Sequence, residues 1–222
     1  MASQIAHIIY AEKYFEKMQT TDFESVEKIE KKIQDQPKIE KDQFFLGCVF
    51  PDIRRIAENL ERKDTHLRFE KLDLDFSDIS SFQSGWKFHL YCDLKREEIL
   101  TQKNFYSLEE TKDFYGQMAA KMLEDELIYD NFPNWEKLEN FFSHAPFVET
   151  GLDLSPETFR LWYAIVGKYI EKRPDEKSIG IFLSKQQNLT DRAEKILQSL
   201  AKLKKNKKII GIISAIKEGI LE

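Results

Sequence analysis

The chain has 222 residues, 41% of them hydrophobic, which is enough for one sizeable core, and no linker rich in Gly, Ser or Pro divides it. Its 39 acidic residues against 34 basic ones give a net charge of −5, which excludes a surface built as a whole to embrace nucleic acid. No segment reaches the roughly eighteen uncharged apolar residues of a membrane span, and the N-terminus has no signal-peptide pattern, so a cytoplasmic protein is expected.

The first predicted helix runs from Ser3, a candidate cap, to Met18, with His7, Tyr10, Tyr14 and Met18 on one stripe. His7 therefore faces inward among aromatics. A second, highly charged helix is expected over Asp22–Gln34, ending before Pro37. Then comes an apolar run from Phe44 to Phe50 that stops at Pro51–Asp52, and this delivers a carboxylate to the edge of the core. From Arg54 to Asp75 the chain is charged and irregular, with Thr65–His66 in its middle.

A central helix follows caps at Ser77 and Asp78 and carries Phe82, Trp86, His89 and Asp93 to about Leu100. The four-residue interval puts His89 and Asp93 on one face, where a single cation could take nitrogen from one and oxygen from the other. The next helix is predicted over Ser107–Tyr129, with Ser107 and Glu110 as a capping box and Leu108, Phe114, Tyr115, Met118, Met122, Leu123 and Leu127 as its core stripe. Its acidic residues Asp125, Glu126 and the nearby Asp130 read first as a solvated face and second as extra ligands.

Trp135–Phe142 forms a short helix before His144, and Ser155–Pro156 opens a helix through Tyr169 with a proline at its first position. Ser178–Gln187, Thr190–Lys205 and Ile209–Leu221 complete the set. In the last two, Leu200, Leu203, Ile209, Ile210, Ile212, Ile213 and Ile216 alternate with lysines. Such a pattern suits a packed terminal helix with a solvated basic face, or peripheral contact with an anionic membrane. Cys48 and Cys92 lie in apolar runs and read as core residues of a reducing compartment. With no strand alternation, hairpin dipeptide or internal repeat, the expected class is all-α, a single domain over residues 1–222 with eight to ten helices.

Three of the four histidines join two aspartates in one pattern: His7, Asp52, His66, His89 and Asp93. Two imidazoles with two carboxylates around one ion suit zinc and would accept iron, manganese or nickel. Asp93, with two oxygens, could bridge to a second ion approached by His7.

In its inward His7, its Phe45-Leu46-Gly47-x-x-x-Pro51-Asp52-Ile53 run, its Thr65–His66 pair and its Gly85-x-x-x-His89-x-x-x-Asp93 motif, the chain resembles the zinc-dependent phospholipase C family. That family shares its all-α fold and trinuclear site with S1/P1 nucleases. The resemblance covers about residues 1–130 and leaves 131–222 as unassigned C-terminal helices. It implies that Asp52, His66, His89 and Asp93 hold one zinc and that His7 and Asp93 hold another. The processed N-terminal tryptophan of secreted members has no counterpart at Met1–Ala2, and their further His and His-x-x-x-Glu ligands have no match after Asp93. His144 and Glu149 have the wrong spacing.

One or two zinc ions are therefore expected, with hydrolysis of a phosphoester or phosphodiester by a metal-activated water. Asp52 would serve as a ligand or as the base that orients the water. The substrate could be a phospholipid headgroup, a nucleotide or a small phosphodiester. The competing reading is a non-catalytic helical binding or structural module with a degenerate metal site. An HD-like phosphohydrolase would need an adjacent His-Asp pair, which the sequence lacks.

Overall fold

The computed structural model describes residues 3–21 and 39–222, and the expected helix over Asp22–Gln34 lies outside them. In chain order the helices are α1 (Gln4–Thr21), α2 (Lys41–Val49), α3 (Arg62–His66), α4 (Ser81–Gln102), α5 (Phe114–Ile128), α6 (Trp135–Ser143), α7 (Pro156–Ile170), α8 (Glu176–Ser184), α9 (Ala193–Leu203) and α10 (Lys207–Gly219). Among the described residues there is no strand, so the class is all-α. One contiguous apolar core draws residues from both the N-terminal and the C-terminal helices.

The cap of α1 comes from another helix. The Ser3 hydroxyl donates to the Asp125 carboxylate, and Asp125 Oδ1 in turn accepts from the Ala6 amide at 2.9 Å. A side chain from α5 thus satisfies the donor that the expected Ser3 cap would have taken. On the predicted stripe His7, Tyr10 and Tyr14 are buried, whereas Met18 is exposed, because the helix extends past the core.

Several predicted starts shift, two of them beside the centre of the chain. The cap of α4 is Ser80, not Ser77 or Asp78, and Ser80 forms a reciprocal pair with Gln83. Helix α5 starts after Asp113 rather than at Ser107, because Asn104 turns the chain through a left-handed φ of 54° and Phe105–Ser107 forms only a 3-10 turn. Ser155 caps α7 with Pro156 next, as the sequence predicts.

Helices α2 and α4 cross backbone to backbone. A Cβ on Gly85 would lie 1.9 Å from Phe44 O, and one on Gly47 would lie 2.0 Å from Phe82 O. Only glycine permits that approach at either position. The two glycines therefore set the distance between the helix that carries Cys48 and the helix that carries His89.

The C-terminal half supports this pair. Trp162 Nε1 donates to Val49 O at 3.0 Å and Tyr163 hydroxyl to Leu46 O at 2.8 Å, so α7 bonds carbonyls at the end of α2, the second of which also accepts from the Phe50 amide. In α9, α10 and the turn between them, Leu200, Leu203, Ile209, Ile212, Ile213 and Ile216 are buried while Lys202, Lys204, Lys205, Lys207 and Lys208 face out. The apolar stripe is thus packed and the basic face solvated. No helix among the described residues is long and apolar enough to cross a membrane. Cys48 and Cys92 are free and buried, as a core role requires.

Candidate metal centre

Four elements deliver the five predicted residues to one region. His7 comes from α1, Asp52 from the 3-10 turn Phe50–Arg55, His66 from the end of α3, and His89 with Asp93 from α4. His66, expected in an irregular stretch, ends a short helix instead. Its chain is pinned by Trp86, whose Nε1 donates to Thr65 O at 2.7 Å. All five side chains are buried, and none exceeds 9% exposure.

The imidazoles are oriented by their second nitrogens. His7 Nδ1 donates to Ser3 O and His89 Nδ1 to Cys48 O, each at 2.7 Å. A carbonyl only accepts, so in each neutral ring Nδ1 carries the proton and Nε2 keeps a lone pair. His66 Nδ1 lies 2.8 Å from the Thr65 hydroxyl. The His7 and His89 rings stack in parallel, with centroids 3.8 Å apart.

The Nε2 atoms of His7, His66 and His89 are all buried without a hydrogen-bond partner. They lie 3.5, 3.9 and 3.7 Å, respectively, from carboxylate oxygens of Asp93. These separations exceed a hydrogen bond, yet they approach the roughly 3.4 Å edge of a tetrahedron with metal–ligand bonds of about 2.1 Å. His7, His89 and Asp93 each offer an atom within 4.8 Å of the other two. His7, His89 and Asp93 could therefore hold a metal ion between them. Burial pushes the His66 imidazole down to about 4 and, above all other causes, holds His89 well below its usual value. Both rings are then neutral near pH 7, the form that binds a metal.

Asp52 stands apart from this group. Its Oδ2 accepts from Gln4 Nε2 at 2.9 Å, and its Oδ1 accepts from Arg55 Nε at 3.0 Å, with Arg54 Nη2 3.6 Å away. Burial alone would raise its pKa, but Arg55 above all, then His89 and Arg54, hold it well below the usual carboxylate range. A carboxylate stabilised in this way is a weak base, so its environment disfavours the base role expected from sequence. Asp52 instead orders the arginines and Gln4 around the centre.

Of the residues weighed as additional ligands, Asp125 caps α1 and accepts from Tyr169 at 2.9 Å, and burial raises it to about 7 against the pull of those bonds. Glu126 pairs with Lys204, Asp130 pairs with Arg173, and the exposed His144 bonds back to Asn140 O. None of the four reaches the cluster.

A cavity of about 450 Å³ borders the centre, with His66, Asp93, Arg62, Arg96, Tyr106 and Lys121 in its wall. This is the size of a small-molecule site. The sequence reading missed Arg96 and Lys121. Lys121 lies within the Met118–Met122 core stripe of α5, where a lysine was the available signal, and burial with the Arg55 charge brings its ammonium down to about 7. Comparison of the chain with family models, with curated proteins and with solved structures finds no match, so none of the three supports the resemblance expected over about residues 1–130.

Proposed function

We propose that this chain is a metal-dependent hydrolase of phosphoesters or phosphodiesters, with His7, His66, His89 and Asp93 as the groups that hold the metal. One observation carries the reading. Three buried imidazole Nε2 atoms without partners converge on a single carboxylate beside a cavity. Folded proteins rarely leave such atoms unpaired for structure alone.

Asp93 divides its oxygens, with Oδ1 nearest His7 and Oδ2 nearest His66 and His89. That division would let one carboxylate serve one ion or two. Zinc is the first candidate, and iron, manganese or nickel are accommodated by the same donors. The bound ion would supply a nucleophilic water at neutral pH and an electrophile for the phosphoryl oxygens. The chain's own contribution is to fix each ring through Nδ1, to keep bulk water from the ligand atoms, and to present His66 and Asp93 to the cavity. Phospholipid headgroups, nucleotides and small phosphodiesters remain the substrate classes to compare.

The engagement of Asp52 with Arg55 and Gln4 favours a second reading, a non-catalytic helical module with a structural metal site. The adjoining cavity speaks for catalysis. Elemental analysis of protein purified without added metal, followed by hydrolysis of 4-nitrophenyl phosphate and bis(4-nitrophenyl) phosphate, separates the two. Bound metal with turnover supports the hydrolase. Bound metal without turnover on any phosphoester supports the structural site, and no metal after reconstitution defeats both.

A further inference from the structure

The cavity wall holds two buried basic side chains that the metal group does not use. Lys121 is 6% exposed, and its Nζ has no hydrogen-bond partner. Arg96, 3% exposed, donates through Nε to Glu124 Oε2 at 2.7 Å, while its Nη2 has no partner. Burying an ammonium and a guanidinium edge with donors unfilled is costly, and a counter-anion is the usual remedy. Both residues line the cavity of about 450 Å³ that reaches His66 and Asp93, and Arg62 lines it too.

From this geometry we propose that Lys121 and Arg96 form an anion subsite for a phosphate group, contiguous with the His66–Asp93 side of the metal centre. The forked donors of a guanidinium beside an ammonium match a tetrahedral oxyanion, which accepts from several directions at once. Asp93 and Glu97 are the acidic members of the wall, and the second is engaged by the Tyr106 hydroxyl at 2.6 Å. A substrate with an anionic phosphate therefore finds its donors here, whereas a quaternary ammonium headgroup meets like charge. The inference deepens the hydrolase reading by naming the charge of its substrate, but its test requires binding and not turnover.

Isothermal titration of the purified protein with inorganic phosphate provides that test, with Lys121→Met as the variant. Methionine keeps most of the chain length and removes a buried charge, so the variant folds with an equal or higher melting temperature. Wild type binds phosphate, and the variant binds it about ten- to hundredfold more weakly, the loss expected for one charge-assisted hydrogen bond. Equal affinity in the two proteins overturns the subsite. The ammonium then belongs to the neighbouring void of about 10 Å³ that it shares with Gln4, Asp52 and Arg55, room for one water. Failure of wild type to bind phosphate also overturns it.

Competition by glycerol phosphate identifies a soluble phosphomonoester as the source of the group. Competition by vesicles of phosphatidic acid in phosphatidylcholine, with none from phosphatidylcholine alone, identifies a lipid headgroup. Phosphate binding that depends on Lys121 in a protein without metal sinks the hydrolase reading and leaves the subsite standing. Turnover of phosphoesters with affinity unchanged in Lys121→Met does the reverse.

Discussion

Gly85→Ala tests whether the crossing of α2 and α4 sets the metal centre. The added methyl would begin 1.9 Å from Phe44 O. Because a carbon rarely comes closer to a carbonyl oxygen than about 3.3 Å, the helices must separate locally by about 1.4 Å. Overpacking of this kind costs about 1–3 kcal/mol, and the better helix propensity of alanine returns up to about 1 kcal/mol. With the full return the net loss is up to about 2 kcal/mol, which lowers the melting temperature by up to about 8 °C in a domain of this size. The same displacement carries Cys48 O away from His89 Nδ1, 2.7 Å distant in the folded chain, and frees the ring that this carbonyl orients. Metal affinity should fall about ten- to hundredfold, as it does when the partner that orients a ligand is lost. Gly211→Ala is the control, because a Cβ there meets nothing within 4 Å. Calorimetric melting and competition with a chelating dye read the two effects. If Gly85→Ala melts and binds metal like Gly211→Ala, the crossing does not control the centre.

His89→Ala combined with Asp93→Ala should abolish metal binding. Chelation would then lower the melting temperature of wild type but not of the variant, the difference corresponding to about 2.7 kcal/mol when metal stands at a hundred times its dissociation constant. Trp86→Phe leaves Thr65 O without its indole donor, now at 2.7 Å, and should cost about 1–3 kcal/mol in urea denaturation while loosening His66. Asp125→Asn addresses pH. Burial raises the folded pKa of Asp125 from 3.8 to about 7, so the protonated form is favoured in the fold; its stabilisation is complete below 3.8 and is lost as pH rises through about 7. The asparagine variant should therefore gain on wild type across that window, by up to about 4 kcal/mol, and parallel pH–stability curves would show that burial does not raise this carboxyl.

The sequence made legible what local spacing dictates. His89 and Asp93 share a helical face because four residues make about one turn, and His7 points inward because its stripe is aromatic. The apolar run before Pro51 brought Asp52 to the core edge, where it is buried. Contacts between distant segments were less legible. Capping of α1 by Asp125 joins residues 119 apart, and nothing in the Met1–Met18 pattern announces it. Arg54 and Arg55 were visible beside Asp52, but their pairing with it depends on a 3-10 turn that curls both guanidinium groups back to the carboxylate. The Ser107–Glu110 capping box was a sound local signal that lost to the left-handed turn at Asn104.

The buried charges explain why these pieces collect where they do. Asp52 is balanced by Arg55, Glu124 by Arg96 and by the Tyr10 hydroxyl, and Asp125 by three donors from Ser3, Ala6 and Tyr169. After those pairings the same neighbourhood retains the Nε2 lone pairs of His7 and His89, the partnerless Nε2 of His66, and the donors of Lys121 Nζ and Arg96 Nη2. Lone pairs ask for a cation and the donors ask for an anion, and His66, Lys121 and Arg96 all border one cavity. A core selected only for stability would have replaced these groups with apolar side chains of similar volume, at little cost or some gain. Their presence side by side is what the proposed site for a metal ion and a phosphate group would use, since each ligand would satisfy the valences that the other cannot.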